Sequence, residues 1–155
     1  MINIEERVEK AMRLFKEGGY NCCQAVVLAY NDMFGIDDTT AAALSSGFGG
    51  GMGRMREVCG AVSGMAMVLG VLYGHIDPKV PATKADHYVR VREVADAFRA
   101  ETGSIICRDL IAEARPASAT PAPRDAAYYQ KRPCAELVAL AADICARYID
   151  EHPVA

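Results

Sequence analysis

Cys59 heads the segment Cys59-Gly60-Ala61-Val62-Ser63-Gly64, just after a loop that holds Gly47, Gly49, Gly50, Gly51, Gly53, Arg54 and Arg56. A thiol at a helix start, beside pliable glycine backbone and two cations, sits where a thiolate is stabilised, and the thiolate is the form that attacks disulfides and binds metals. Cys22, Cys107 and Cys134 share its setting, because each falls in the first turn of an expected helix. Free N–H groups and the helix dipole at such ends lower a thiol pKa and also favour anionic metal–thiolate groups. Four helix ends converging at one end of a bundle would make one thiol-rich site.

Two chemistries suit that site. In the first, Cys59 is a redox thiol and another helix-start cysteine resolves it as a disulfide, which requires Cα atoms within roughly 7 Å. In the second, Cys22, Cys59, Cys107 and Cys134 hold zinc or an iron–sulfur cluster, for which four thiolates are a complete ligand set. No CxxC or CxxCH occurs, and ligands spread over most of the chain weaken zinc more than a cluster. A third reading makes the cysteines small core residues of a helical interaction module. Cys145 lies eleven residues beyond Cys134, ~16 Å along a helix, and reads as core. Cys23 is turned by about 100° from Cys22 and stays ambiguous.

The loop residues Gly49, Gly50, Gly51, Gly53 and Arg54 are the candidate cofactor-binding set. No expected strand precedes them, and neither GxGxxG nor GxxxxGK[ST] is present, so a dinucleotide or P-loop site is not supported. Their favoured role is to shape the surroundings of Cys59 and offer N–H groups to its sulfur; a flavin or nucleotide phosphate near Arg54 and Arg56 is the lesser alternative. His75 and His87 read as surface or capping residues, and Met52, Met55, Met65 and Met67 as core filler.

The elements that must position these groups are helical throughout. Asn3, with Glu6, opens a first helix that ends at Gly18-Gly19. Asn21 caps a second, with the stripe Cys22, Ala25, Val26, Ala29, Tyr30 and Met33, closed by Gly35. Asp37 or Asp38 starts a short helix through Leu44. The central helix, about Cys59 to Tyr73, is apolar on every face and should be surrounded by the others. A long helix from about Ala82 to Thr102 turns Tyr88, Val91, Ala95 and Phe98 inward, and Ser104 can cap the helix that carries Cys107. Residues Pro116 to Pro123 form a loose or extended connector, pliable enough to let Cys134 move. Asp125 starts a short turn and Pro133 opens the last helix. No strand alternation is visible. The expected fold is one all-α domain of about six or seven helices around a buried central helix.

A chain of 155 residues can bury a real core, and a net charge of -3 with scattered Lys and Arg argues against nucleic acid. The N-terminus carries acids where a signal peptide needs positive charge. The uncharged run 58–74 holds four glycines and falls short of the ~20 residues of a membrane span, so no membrane insertion is expected. These features point to the cytoplasm, where six cysteines are more consistent with redox, metal or core roles than with structural disulfides. An unnamed redox partner is expected, and the apolar central helix with exposed Tyr128-Tyr129 makes a homodimer reasonable.

The blocks NCCQAV, SGFGGGMGR, CGAVSG and SIICRDLI, in that order, with a cysteine before a final helix, resemble the C_GCAxxG_C_C family of redox-active proteins. The likeness runs from about Leu14 to Ile144. The family's four named cysteines fall on Cys22, Cys59, Cys107 and Cys134, and the block at Cys59 reads CGAxxG. The resemblance implies a redox role and names no substrate. Cys23 departs from the NCAQ-like block of the relatives, which leaves open whether Cys22 acts alone.

Overall fold

Four short polar side chains set helix starts. Asn3, Asn21, Asp37 and Asp125 each accept the backbone N–H three residues on, satisfying a donor that the first turn leaves free. At Asn21 the cap is reciprocal, since the Gln24 side chain accepts from the Asn21 N–H. In the computed structural model, which describes residues 1–154, the helices are α1 (Ile4–Lys16), α2 (Cys22–Leu28), α3 (Asp38–Ser45), α4 (Gly60–Tyr73), α5 (Pro81–Thr102), α6 (Cys107–Ile111), α7 (Ala126–Lys131) and α8 (Cys134–Glu151). Short 3-10 turns cover Asn31–Met33 and Ser46–Phe48. Among the described residues there is no strand, only an isolated antiparallel bridge between Val58 and Ile106. The fold is all-α. No helix among these residues is long and apolar enough to cross a membrane.

The second helix is shorter than its apolar stripe predicts. It stops at Leu28 because the next carbonyls and side chains are claimed by other elements. Arg7 donates to the Ala29 carbonyl at 2.8 Å and pairs with Asp32, while the fully buried Tyr30 hydroxyl donates to the Ala142 carbonyl at 2.5 Å. These bonds tie the end of α2 to α1 and α8.

Helix α4 packs against α2, α5 and α8, and α8 packs chiefly against α1. The α2–α4 contact depends on glycine. A Cβ on Gly60 would stand 2.9 Å from the Phe48 carbonyl oxygen and 3.2 Å from the Cys22 Cβ, and one on Gly64 would stand 2.8 Å from the Val26 Cβ. The two helices therefore meet nearly backbone to backbone at their N-terminal ends.

Two expectations about burial are corrected. Helix α4 is not enclosed on all sides: Ala61, Met65, Val68 and Leu69 are buried, but Val71 is 46% exposed. In α5, Val94 and Phe98 are buried while Tyr88 is 54% exposed. Length explains the second: α5 has 22 residues, ~33 Å, against 14 residues, ~21 Å, for α4, so its N-terminal turns overhang the helix they cover. Tyr128 and Tyr129 are half-buried and pack on the core, which removes their exposure as an argument for a dimer.

Because the Val26 side chain and the α2 backbone leave no room at Gly64, Gly64→Ala should destabilise the protein by about 1–3 kcal/mol in urea denaturation followed by circular dichroism. Gly53→Ala, with nothing within 4 Å of the added carbon, should lose less, its cost coming from a φ of 56° alone.

Candidate functional site

The four helix-start cysteines do converge. Cys22 and Cys134 are the first residues of α2 and α8, Cys107 opens α6, and Cys59 is the residue before α4. All four line one largely enclosed cavity of about 30 Å³, together with Gly50, Gly51, Arg56, Tyr128 and Arg132. Cys59, Cys107 and Cys134 are buried, and Cys22 is half-buried.

Two of the four are placed by backbone pairing. On either side of the Val58–Ile106 bridge, the Cys59 N–H donates to the Ile105 carbonyl at 2.8 Å and the Cys107 N–H to the Glu57 carbonyl at 2.6 Å. Cys22 is placed by the glycine contact, since Gly60, next to Cys59, lies against its Cβ. Cys134 arrives on α8, which packs on both α2 and α4.

The glycine loop serves as scaffold. Gly50, Gly51, Met52, Gly53 and Arg54 form five consecutive residues with positive φ, between 56° and 71°. The amides of Met52 through Glu57 all donate to carbonyls of the segment 47–52 at 2.8–3.3 Å. Those N–H groups are therefore committed within the loop and unavailable to a phosphate. Gly50 and Gly51 border the cavity, and a Cβ on Gly51 would stand 2.7 Å from the Cys107 Cβ. Gly49 packs on the Asn21 side chain and Gly53 faces open space. Arg54 points away from the thiols and donates to the Ser118 carbonyl at 2.8 Å and to that of Thr120. With Arg124 donating to the Phe15 and Tyr20 carbonyls at 2.8 Å, it pins the Pro-rich connector at both ends. The connector is extended, as its composition predicts, but it is tethered rather than pliable.

Charge in the cavity comes from Arg56 and Arg132, which share one carboxylate. Arg56 is 3% exposed, and its Nη2 lies 3.3 Å from Glu113, whose carboxylate also takes Arg132 at 2.8 Å. Arg56 Nη1 lies 3.8 Å from the Cys107 sulfur, and its buried Nε has no partner among the described residues. Two guanidiniums against one carboxylate leave a net positive charge beside the sulfurs.

The four thiols differ in their surroundings. Cys134 is held below the ordinary thiol pKa, first by the hydrogen bond from Cys22 and then by Arg132, Arg56 and Arg124, which together outweigh burial. Its partner Cys22 is raised well above the ordinary value by the same bond and by burial. Burial pushes Cys59 up to about 12, although the Ala61 and Val62 amides pull the other way. At Cys107 burial also prevails over Arg56. The one thiol among the four whose pKa is lowered is therefore Cys134, while that of Cys59 is raised.

The remaining cysteines lie elsewhere. Cys23 is fully buried in a second apolar cluster with Val27, Leu28 and Ala41, and its thiol donates to the Met67 sulfur at 3.7 Å. Cys145 is fully buried, as its position on α8 predicts. His75 and His87 pack against each other away from the cavity. Sequence reasoning missed Arg132, Glu113 and Tyr128. For Arg132 a signal existed: it precedes Cys134 by two residues, much as Arg56 precedes Cys59 by three.

The family model described as "Putative redox-active protein (C_GCAxxG_C_C)" matches residues 20–148. The chain belongs to this family. Neither a curated protein nor a solved structure matches it. As a C_GCAxxG_C_C protein it has a redox role at the coarse level of the family description, and the matched span contains every residue of the cavity. Among the described residues no three His, Cys, Asp or Glu side chains are placed to hold one metal ion, so the zinc and iron–sulfur readings gain nothing from ligand geometry.

Two outcomes are expected of the thiols. Among the four cavity thiols, Cys134 should show the lowest pH inflection, read from thiolate ultraviolet absorbance in single Cys→Ser variants, because the neighbouring Cys22 thiol and the arginines depress its pKa; Arg132→Gln should move that inflection upward. Cys23 and Cys59, both raised to about 12, stay protonated in the folded state and ionise on unfolding above the ordinary value. Each should therefore withdraw about 1.4 kcal/mol per pH unit above about pH 8.5, read as a falling urea midpoint between pH 8 and pH 10 that Cys23→Ala makes shallower.

Proposed function

We propose that this protein is a dithiol–disulfide redox protein in which Cys134 is the reactive thiolate and Cys22 the thiol that pairs with it. The observation that carries this reading is that Cys22 and Cys134 line one small, largely enclosed cavity with Arg56 and Arg132, which share the single carboxylate of Glu113. Thiol–disulfide chemistry needs an ionised sulfur, a partner sulfur within bonding reach and donors that stabilise the charge. Here the partner lines the same small cavity, and the guanidiniums of Arg56 and Arg132 supply the stabilisation. Oxidation joins the two sulfurs and releases two electrons and the remaining proton to an external acceptor; reduction by an external dithiol reverses it. The reading suits a reducing cytoplasm, where the resting dithiol is stable.

Cys107 and Cys59 support the pair as polarisable walls of the cavity, with Cys107 also receiving Arg56. The Gly50 carbonyl takes the Arg56 amide, and Gly51 packs against Cys107, so both glycines shape the cavity.

Equilibration of the reduced protein in glutathione redox buffers, acid quench, and mass mapping of the peptides should find a Cys22–Cys134 disulfide, with Cys23 and Cys145 remaining thiols. Cys134→Ser and Cys22→Ser should each abolish it while leaving helicity intact. A different pair, or no intramolecular disulfide down to strongly oxidising ratios, would remove this reading.

A further inference from the structure

The cavity also limits what can reach the Cys134 sulfur. Its volume is about 30 Å³, room for one or two water-sized groups. The Cys134 residue is only 9% exposed, and Tyr128, Leu137 and the glycine loop complete the wall. A disulfide of glutathione or of a partner protein does not fit there without rearrangement, because thiol exchange needs a third sulfur in line with the attacked bond.

A second observation specifies polarity. Arg56 is nine-tenths buried, lines the cavity, and carries an Nε with no partner among the described residues. A buried, unsatisfied donor on a charged group is costly, and a ligand oxygen that accepts from it recovers that cost. The cavity thus presents a sulfur nucleophile, a neighbouring thiol proton and a cationic donor to something about two heavy atoms in size.

We infer that the cavity is a site for a small hydroperoxide, hydrogen peroxide being the member that fits, with Arg56 the donor to the departing oxygen. This rests on the dithiol reading above and names the oxidant for it. The Cys134 sulfur attacks one peroxide oxygen: an S–O bond forms, the O–O bond breaks, and the second oxygen leaves as hydroxide, stabilised by Arg56 until a proton makes it water. Sulfur loses two electrons and becomes a sulfenic acid. The Cys22 sulfur then attacks the Cys134 sulfur; the S–S bond forms, the S–O bond breaks, and hydroxide departs with the Cys22 proton as a second water. Two thiols and one peroxide give one disulfide and two waters, so atoms and electrons balance. An external dithiol restores the resting state.

The test compares rates on the intact, reduced protein in quenched-flow mixing with peptide mass mapping. Hydrogen peroxide should form the Cys22–Cys134 disulfide at least about tenfold faster than equal concentrations of glutathione disulfide or cumene hydroperoxide, a gap of 1.4 kcal/mol or more in barrier. In Cys22→Ser the reaction should stop at a sulfenic acid on Cys134, captured when the reaction is quenched into denaturant containing dimedone. Arg56→Met should slow the peroxide step ~10–100-fold, the loss expected for one charge-assisted hydrogen bond. If that variant does not fold, the oxidant comparison and the dimedone adduct decide the matter alone. Equal rates for peroxide and glutathione disulfide, or no adduct on Cys134, would overturn the peroxide inference while the equilibrium disulfide still stood. Absence of the disulfide with every oxidant, including at equilibrium, would remove the dithiol reading as well.

Discussion

The near backbone-to-backbone meeting of α2 and α4 is the constraint on which the rest of the site depends. Gly60 and Gly64 lie one turn apart on α4, and side chains at either would run into α2. Their absence lets the two helix starts abut, which sets Cys22 beside the residue that follows Cys59. The Val58–Ile106 bridge then fixes Cys107 relative to Cys59 through the paired bonds Cys59 N–H to Ile105 and Cys107 N–H to Glu57. With three sulfurs so placed, α8 needs only to dock its first turn against α2 and α4 for Cys134 to complete the cavity. Convergence of residues more than a hundred positions apart thus follows from one glycine contact, one bridge and one helix docking.

The glycine loop acquires a different meaning in this light. A loop of five consecutive left-handed residues costs about 1–2 kcal/mol at each non-glycine position, and Met52 and Arg54 carry that cost. Glycine at 50, 51 and 53 keeps it from being larger, and the hydrogen bonds from Met52 to Glu57 offset it. The loop ends in Arg56, also at positive φ, with its side chain directed inward to Cys107 and Glu113. Its strained backbone aims a guanidinium into a buried place, and its own amides are consumed in doing so.

Much of this was legible in the sequence where the chemistry is local. The caps at Asn3, Asn21, Asp37 and Asp125 depend on a side chain and an amide three residues away, so the helix starts could be read directly. The helix-start position of Cys22 followed from the cap at Asn21, whereas the helices at Cys59, Cys107 and Cys134 begin without a side-chain cap. What could not be read is what joins distant segments. Glu113 lies in an undistinguished stretch and matters only because Arg56 and Arg132 both reach it. The end of α2 at Leu28 depends on Arg7 and on Ala142, neither of which marks its role in the sequence. The overhang of α5, which exposes Tyr88, reflects the unequal lengths of two helices rather than the periodicity of either.

The choice among the thiols illustrates the same division. A helix N-terminus lowers a thiol pKa through free amides and a partial positive charge, and on that ground all four cysteines look alike. In the fold, burial opposes that effect at every one of them, and at Cys59 and Cys107 it wins. Only Cys134 has a neighbouring thiol to donate to it and the arginines at 132, 56 and 124 to complement its charge. The asymmetry between the two sulfurs therefore comes first from their own pairing and then from the guanidiniums, not from the helix ends. A helix dipole contributes typically 0.3–1 kcal/mol at an exposed site, less than the several pKa units by which burial can move a thiol. Helix ends bring these sulfurs together; the pairing of Cys134 with Cys22, backed by the surplus positive charge of two arginines on one glutamate, sets them apart.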